Sequence, residues 1–328
     1  MTGRAGIAVD DDSTWCAWTT AGGLVRAMEL GADRSGEIVD AGRGTAVHAG
    51  SGTGRFLVHD GEAVRSWSPD AGTRSVCSAG PGSLLLEPGG AAGHEDTLVA
   101  AASESELALL SAAGTVSSQR LGAPPLVLAW QHRRRRILCV LADGTVHKLD
   151  PRTARTDTSS LAFTGNHRLA CYDEVLGGVW SVPEQSPDTA RFHRTEIDRP
   201  DALYTLGLGT VPAVIRSSHS GEWLIAAAPG RPTMLTNVNS GRSFTVPGEL
   251  ASRGAPSVFS FDNRLVSVEG DAFEVLPVPA RADVRSRDGS LPIETFWSAP
   301  PQMHRATRRP KEERTRGEGG GARVGAGS

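Results

Sequence analysis

Three acids stand together at Asp10-Asp11-Asp12, and clustered carboxylates of this kind could hold a hard cation such as calcium. Solvated acids in a turn are the plainer reading. Gly50-Ser51-Gly52-Thr53-Gly54-Arg55 has the glycine content of a phosphate loop. A strand rather than a helix follows it, so no helix N-terminus backs an anion site, and the residues read as a hairpin loop. His94-Glu95-Asp96 has the residue types of a site but lies in a Gly/Ala-rich loop. Arg133-Arg134-Arg135-Arg136 is the strongest charge feature. Four guanidinium groups in one turn make a positive knob that could grip phosphate or an acidic partner, against the alternative of a solvated hairpin turn.

Other chemistry is absent from the text. No GxSxG elbow, HExxH, Walker A, dinucleotide fingerprint or EF-hand loop occurs. The nine histidines are scattered, and no two are spaced as ligands of one metal. His147 and His193 take equivalent places in third strands, where packing is the ordinary role. Cys16, Cys77, Cys139 and Cys171 fall singly on separate strands without CxxC spacing, which reads as reduced, buried thiols. No catalytic residue, cofactor or metal is assigned.

The elements that must carry these residues repeat. Residues 137–155, Ile-Leu-Cys-Val-Leu-Ala-Asp-Gly-Thr-Val-His-Lys-Leu-Asp-Pro-Arg-Thr-Ala-Arg, read as strand, tight Asp-Gly turn, strand, polar turn. Gly144 supplies the positive φ that a tight hairpin needs. Tight turns recur at Gly22, Gly61, Glu104, Gly144, Gln185, Gly230 and Gly270, a period of about forty residues. The polar turns at Gly36, Gly72, Gly114, Ala154, Asp201, Gly241 and Arg281 keep the same period. Short apolar runs such as Trp223-Leu224-Ile225-Ala226 flank the turns and suit strands covered on both faces. The expectation is an all-β fold, a single β-propeller of seven four-stranded blades. A count of six or eight follows if the third or fifth unit is merged or split. Residues 103–113 have helical composition, yet their place in the repeat predicts that 97–102 and 107–111 pair as strands.

The 328 residues carry a net charge of −3, which exerts no global pull on nucleic acid or anionic membrane. Basic charge is almost all arginine, and with many Ala and Gly it reads as a GC-rich bacterial genome. No secretory leader or membrane-length apolar run is seen, which predicts a cytoplasmic protein. The propeller is expected over 1–290 and a docking segment over 291–302, where Ile293-Glu294-Thr295-Phe296-Trp297 is apolar enough to pack back. Residues 303–328 read as a disordered tail, basic and then Gly/Ala-rich, with seven Lys or Arg against three Glu. The tail is a solvated end or a basic arm for an acidic protein or nucleic acid.

The segment 142–155 resembles blades of the WD-repeat and related bacterial YVTN or quinoprotein-like propellers. Asp143-Gly144-Thr145-Val146 matches their turn, with Leu149-Asp150 where Trp-Asp would stand. Trp67-Ser68-Pro69-Asp70 keeps the tryptophan without the adjoining aspartate, and the Gly-His opening is missing from most units. The resemblance implies a rigid disc whose loops bind other proteins. The expected function is a non-enzymatic, monomeric interaction scaffold or sensor of a bacterial multi-protein system, with Arg133, Arg134, Arg135 and Arg136 as candidate partner-binding residues. The alternative is a carbohydrate-active lyase or hydrolase with acids or histidines at the axis; such a cluster at one mouth would favour it.

Overall fold

The computed structural model describes residues 6–30, 37–89, 97–196 and 202–278, and the backbone of 303–305. Seven four-stranded antiparallel sheets follow one another around an axis, each built from strands in chain order. They occupy residues 7–43, 46–78, 84–120, 125–160, 167–207, 214–245 and 257–277, the last completed by Met303–Arg305. The first strand of each blade packs on those of its neighbours around the axis, and the fourth forms the rim.

The second strands explain the arrangement. Trp223–Ala228 and Gly178–Pro183 are buried along their whole length. Side chains alternate across a strand, so one apolar run serves two interfaces. In the second strand of blade 4, Ile137, Cys139 and Leu141 face blade 3, whereas Leu138 and Val140 face blade 5. In blade 3, Leu107 and Leu109 face blade 4, and Ala108 and Leu110 face blade 2. The core is therefore seven separate apolar seams, one between each pair of blades.

The conflict at 103–113 resolves in favour of the repeat. Val99–Ala102 and Glu106–Ser111 are paired strands, with Ser103 Oγ accepting the Glu106 N–H at 3.2 Å in the turn. Burial in two seams outweighs the local preference for helix. Met303–Arg305 pairs antiparallel with Ala272–Pro277 as the outer strand of blade 7. Three residues at the start of the expected tail are thus part of the sheet. Residues 291–302 and 306–328 lie outside the described residues.

Among the described residues no strand is shared across the join between the last blade and the first, and side chains close the ring there. Ile7, Val9, Trp18 and Met28 of blade 1 pack on Val258, Val266, Val268 and Phe273 of blade 7. Trp18 Nε1 donates to the Gly270 carbonyl at 2.8 Å, Arg264 Nη1 to the Leu30 carbonyl at 3.0 Å, and Arg26 pairs with Asp271 at 3.2 Å. Trp18→Ala is expected to cost about 3–5 kcal/mol in urea unfolding, the loss typical of a buried tryptophan.

The seam between blades 4 and 5 carries a different load. His167 stacks on Phe163 with centroids 3.8 Å apart, and His193 meets the same ring edge-on at 5.0 Å. Both histidines are buried, and none of their four ring nitrogens has a hydrogen-bond partner among the described residues. Burial, with the nearby Arg191 charge, pushes each imidazole down to about 4. Between pH 6.5 and 4 the unfolded chain would bind protons that the native one refuses. Stability is expected to be full above pH 6.5 and to fall through that window by up to about 1.4 kcal/mol per pH unit per histidine. His167→Phe with His193→Leu should flatten the dependence, read as urea midpoints across pH.

Candidate partner-binding face

The loops joining first to second strands, and third to fourth, all emerge on one face of the disc. Every sequence candidate among the described residues lies there. Asp10 is buried, and its carboxylate accepts the Trp15 N–H at 2.8 Å and the Thr14 hydroxyl at 2.6 Å within its own loop. It also accepts the Gly54 N–H at 2.7 Å from blade 2. Thr53 Oγ1 donates to Asp12, and the Gly52 N–H donates to Asp11. On the far side of the glycine loop, Glu87 of blade 3 accepts the Ser51 N–H at 3.1 Å and pairs with Arg55 at 3.0 Å.

Two sequence features thus answer one another. The Gly50–Arg55 loop does present its N–H groups to anions, with Gly52 and Gly54 at positive φ. The anions are the protein's own carboxylates. Burial still holds Asp11 and Glu87 above the usual carboxylate range, against the N–H bonds and Arg55 that lower them. The aspartate cluster is a latch between blades 1 and 2. His94-Glu95-Asp96 lies outside the described residues.

The arginine turn is built on the latch between blades 4 and 5. Gln131, at the end of the strand Pro125–Gln131, is buried. Its carbonyl accepts the Arg134 and Arg135 N–H groups at 3.2 and 2.7 Å, and Arg135 takes φ 53°. Its side-chain amide reaches Tyr172 Oη, Thr195 Oγ1 and Glu196 Oε1, each at 3.3 Å. Lys148 Nζ donates to the Thr195 carbonyl at 2.7 Å. The turn is therefore held rigidly while its side chains point outward. Arg134 meets Glu196 at 3.7 Å with its side chain 59% exposed, and Arg136 meets Asp157 at the same distance. Pairs so exposed and so long contribute little and leave most of the positive field to solvent.

Sequence reasoning missed the other latches, because neither partner is distinctive alone. Asp173 of blade 5 accepts the Ser217 hydroxyl of blade 6 at 2.6 Å, and the Phe261 N–H of blade 7 donates to Ser13 Oγ of blade 1. At the axis, Arg216 of blade 6 donates to the Ile7 carbonyl of blade 1 at 3.2 Å. Arg168 donates to the Pro212 carbonyl. Among the described residues no group of three or more His, Cys, Asp or Glu is placed to hold a metal. The four cysteines are unpaired, and burial pushes the Cys77 and Cys139 thiols up to about 11 and about 12. A cleft of about 370 Å³ lies between blades 2 and 3, lined by groups such as Ser75, Cys77, Ser111 and Thr115 and by no charged side chain.

No family model matches the chain, and no curated protein matches it. Among solved structures it is similar to the crystal structure of Kluyvelomyces marxianus Hsv2, at 11% identity and a TM-score of 0.55. The match covers 83% of this chain and 92% of that one. At this identity the likeness is one of fold alone, and a propeller fold does not dictate function.

Asp10→Ala leaves the Trp15 and Gly54 N–H groups without their acceptor and is expected to cost about 2–4 kcal/mol. If the acids serve the loop and not a cation, millimolar calcium or a chelator will leave the melting temperature of the wild type unchanged. A rise with calcium that Asp10→Ala abolishes would return the cluster to metal binding.

Proposed function

We propose that the chain is a non-enzymatic protein-interaction module, monomeric and cytoplasmic, in a bacterial multi-protein system. Its arginine turn, Arg133 to Arg136, is the part that meets an acidic surface of the partner. The observation that carries this reading is the contrast between charges on one face. The carboxylates Asp10, Asp12, Glu87 and Asp173 are turned into bonds with N–H or hydroxyl groups of the neighbouring loop or blade, whereas the side chains at 133–135 lie on the surface, Arg134 exposed even in its long pair with Glu196. A preorganised positive turn loses little side-chain and loop entropy on binding, and so spends less of the gain. The WD-like turn at Asp143-Gly144-Thr145-Val146 agrees with an interaction module.

The alternative, a lyase or hydrolase with an axial polar site, asks for acids or histidines gathered at one mouth of the axial channel. The inner strands of blades 5 and 6 instead contribute Arg168 and Arg216 there, each donating to a backbone carbonyl. No helix of the described residues is long and apolar enough to cross a membrane.

The test is affinity purification of the full chain from its own cell, beside a variant with Arg133, Arg134, Arg135 and Arg136 all changed to Glu. The variant is expected to keep its melting temperature within a few degrees and to lose its partner protein by at least about tenfold, the wild-type complex weakening with salt. Full retention by the variant would overturn the role of the turn. Loss on nuclease treatment would show that nucleic acid is the ligand.

A further inference from the structure

The third and fourth strands of blade 7 are antiparallel neighbours, and such pairs are ordinarily joined by two to five residues. Here residues 279–302 lie between them, outside the described part of the chain. This excursion leaves from a particular place. Val278, the last described residue before it, donates its N–H to the Asn263 carbonyl at 2.8 Å. Asn263 belongs to the loop that carries Phe261, and the Phe261 side is exposed apolar surface. Phe261 is 45% exposed, with its ring stacked on His219 of blade 6 at 3.4 Å. The same blade 6 loop continues to Gly221, where a Cβ would lie 3.1 Å from that of Val175 of blade 5, itself 51% exposed. Val175, His219 and Phe261 thus mark an arc over three blades whose exposed apolar groups are Val175 and Phe261, beginning where the excursion begins.

The excursion contains one apolar run, Ile293-Glu294-Thr295-Phe296-Trp297, preceded by Pro292 and followed by Pro300 and Pro301. Prolines restrict the unbound chain, so ordering the run between them costs less entropy. Both ends of the excursion are tethered to blade 7, and a tether of this length gives an effective concentration on the order of millimolar. We propose that Ile293–Trp297 of the same chain is the occupant of the Val175–His219–Phe261 arc, with its aromatic pair on the Phe261–His219 stack. This assignment stands apart from the proposed role of the arginine turn. It also leaves that turn as the open part of the face.

The experiment is limited chymotrypsin digestion of the full chain, following cleavage after Phe296 and Trp297 by mass spectrometry. Cleavage rate follows the population of the undocked segment. The rate is expected to rise by about tenfold or more in Phe261→Ser and in Val175→Ser, with circular dichroism unchanged. Conversely, Phe296→Ser with Trp297→Ser should speed amide exchange in the Phe261 loop. Equal cleavage rates in the wild type and both variants that retain native circular dichroism would overturn the proposal. Protection that vanishes on dilution would also overturn it, since the occupant would then be a second copy of the chain.

Discussion

A blade of this protein cannot stand alone, because its second strand is apolar on both faces. Each such strand needs a neighbour on either side, and a row of sheets with that requirement has no stable end except closure. The continuous run in Trp223–Ala228 is thus a demand for a ring. Among the described residues, the join between blades 7 and 1 meets the demand through side chains, with Trp18, Arg264 and the apolar groups between them. All seven seams hang on that join, since opening it exposes the apolar faces of blades 1 and 7.

Closure also decides what the loop face can do. Loops of adjacent blades are brought together there, and their polar groups find each other across the junctions. Asp10 holds Gly54, Glu87 holds Arg55, Gln131 holds Tyr172, and Asp173 holds Ser217. Groups that might serve a ligand are spent on keeping the ring rigid. At the arginine turn the backbone is held by the Gln131 carbonyl, and the Gln131 side chain makes the latch to blade 5, while the arginine side chains stay exposed in long surface pairs such as Arg134–Glu196. Backbone order and exposed positive charge coincide at that turn.

The buried histidines show the cost of seam packing. His167 and His193 fill space beside Phe163 with no ring hydrogen bond among the described residues, and their burial there disfavours the charged form. Strand periodicity placed His193 on a third strand. Its meeting with a residue from another strand, and with a ring from the connection between blades, depends on how two sheets lie together.

Much of the fold was legible because it is local chemistry repeated. Asp143-Gly144 specifies a hairpin wherever it stands, and the recurrence of such turns implied the blades. The helical composition of 103–113 was overruled by the period, since the period reflects burial between sheets. The candidate site was legible only in part. Arg133 to Arg136 could be read as a hairpin turn from the strands beside them, whereas the aspartates and the glycine loop were read as separate features. Their pairing needs blades 1 and 2 side by side, and a carboxylate carries no mark of which N–H it will meet. The sequence by itself determined strand, turn and repeat, because these rest on propensity and alternation along the chain. Only the tertiary structure decided which charges are spent and which remain, because that depends on distances between residues far apart in the chain.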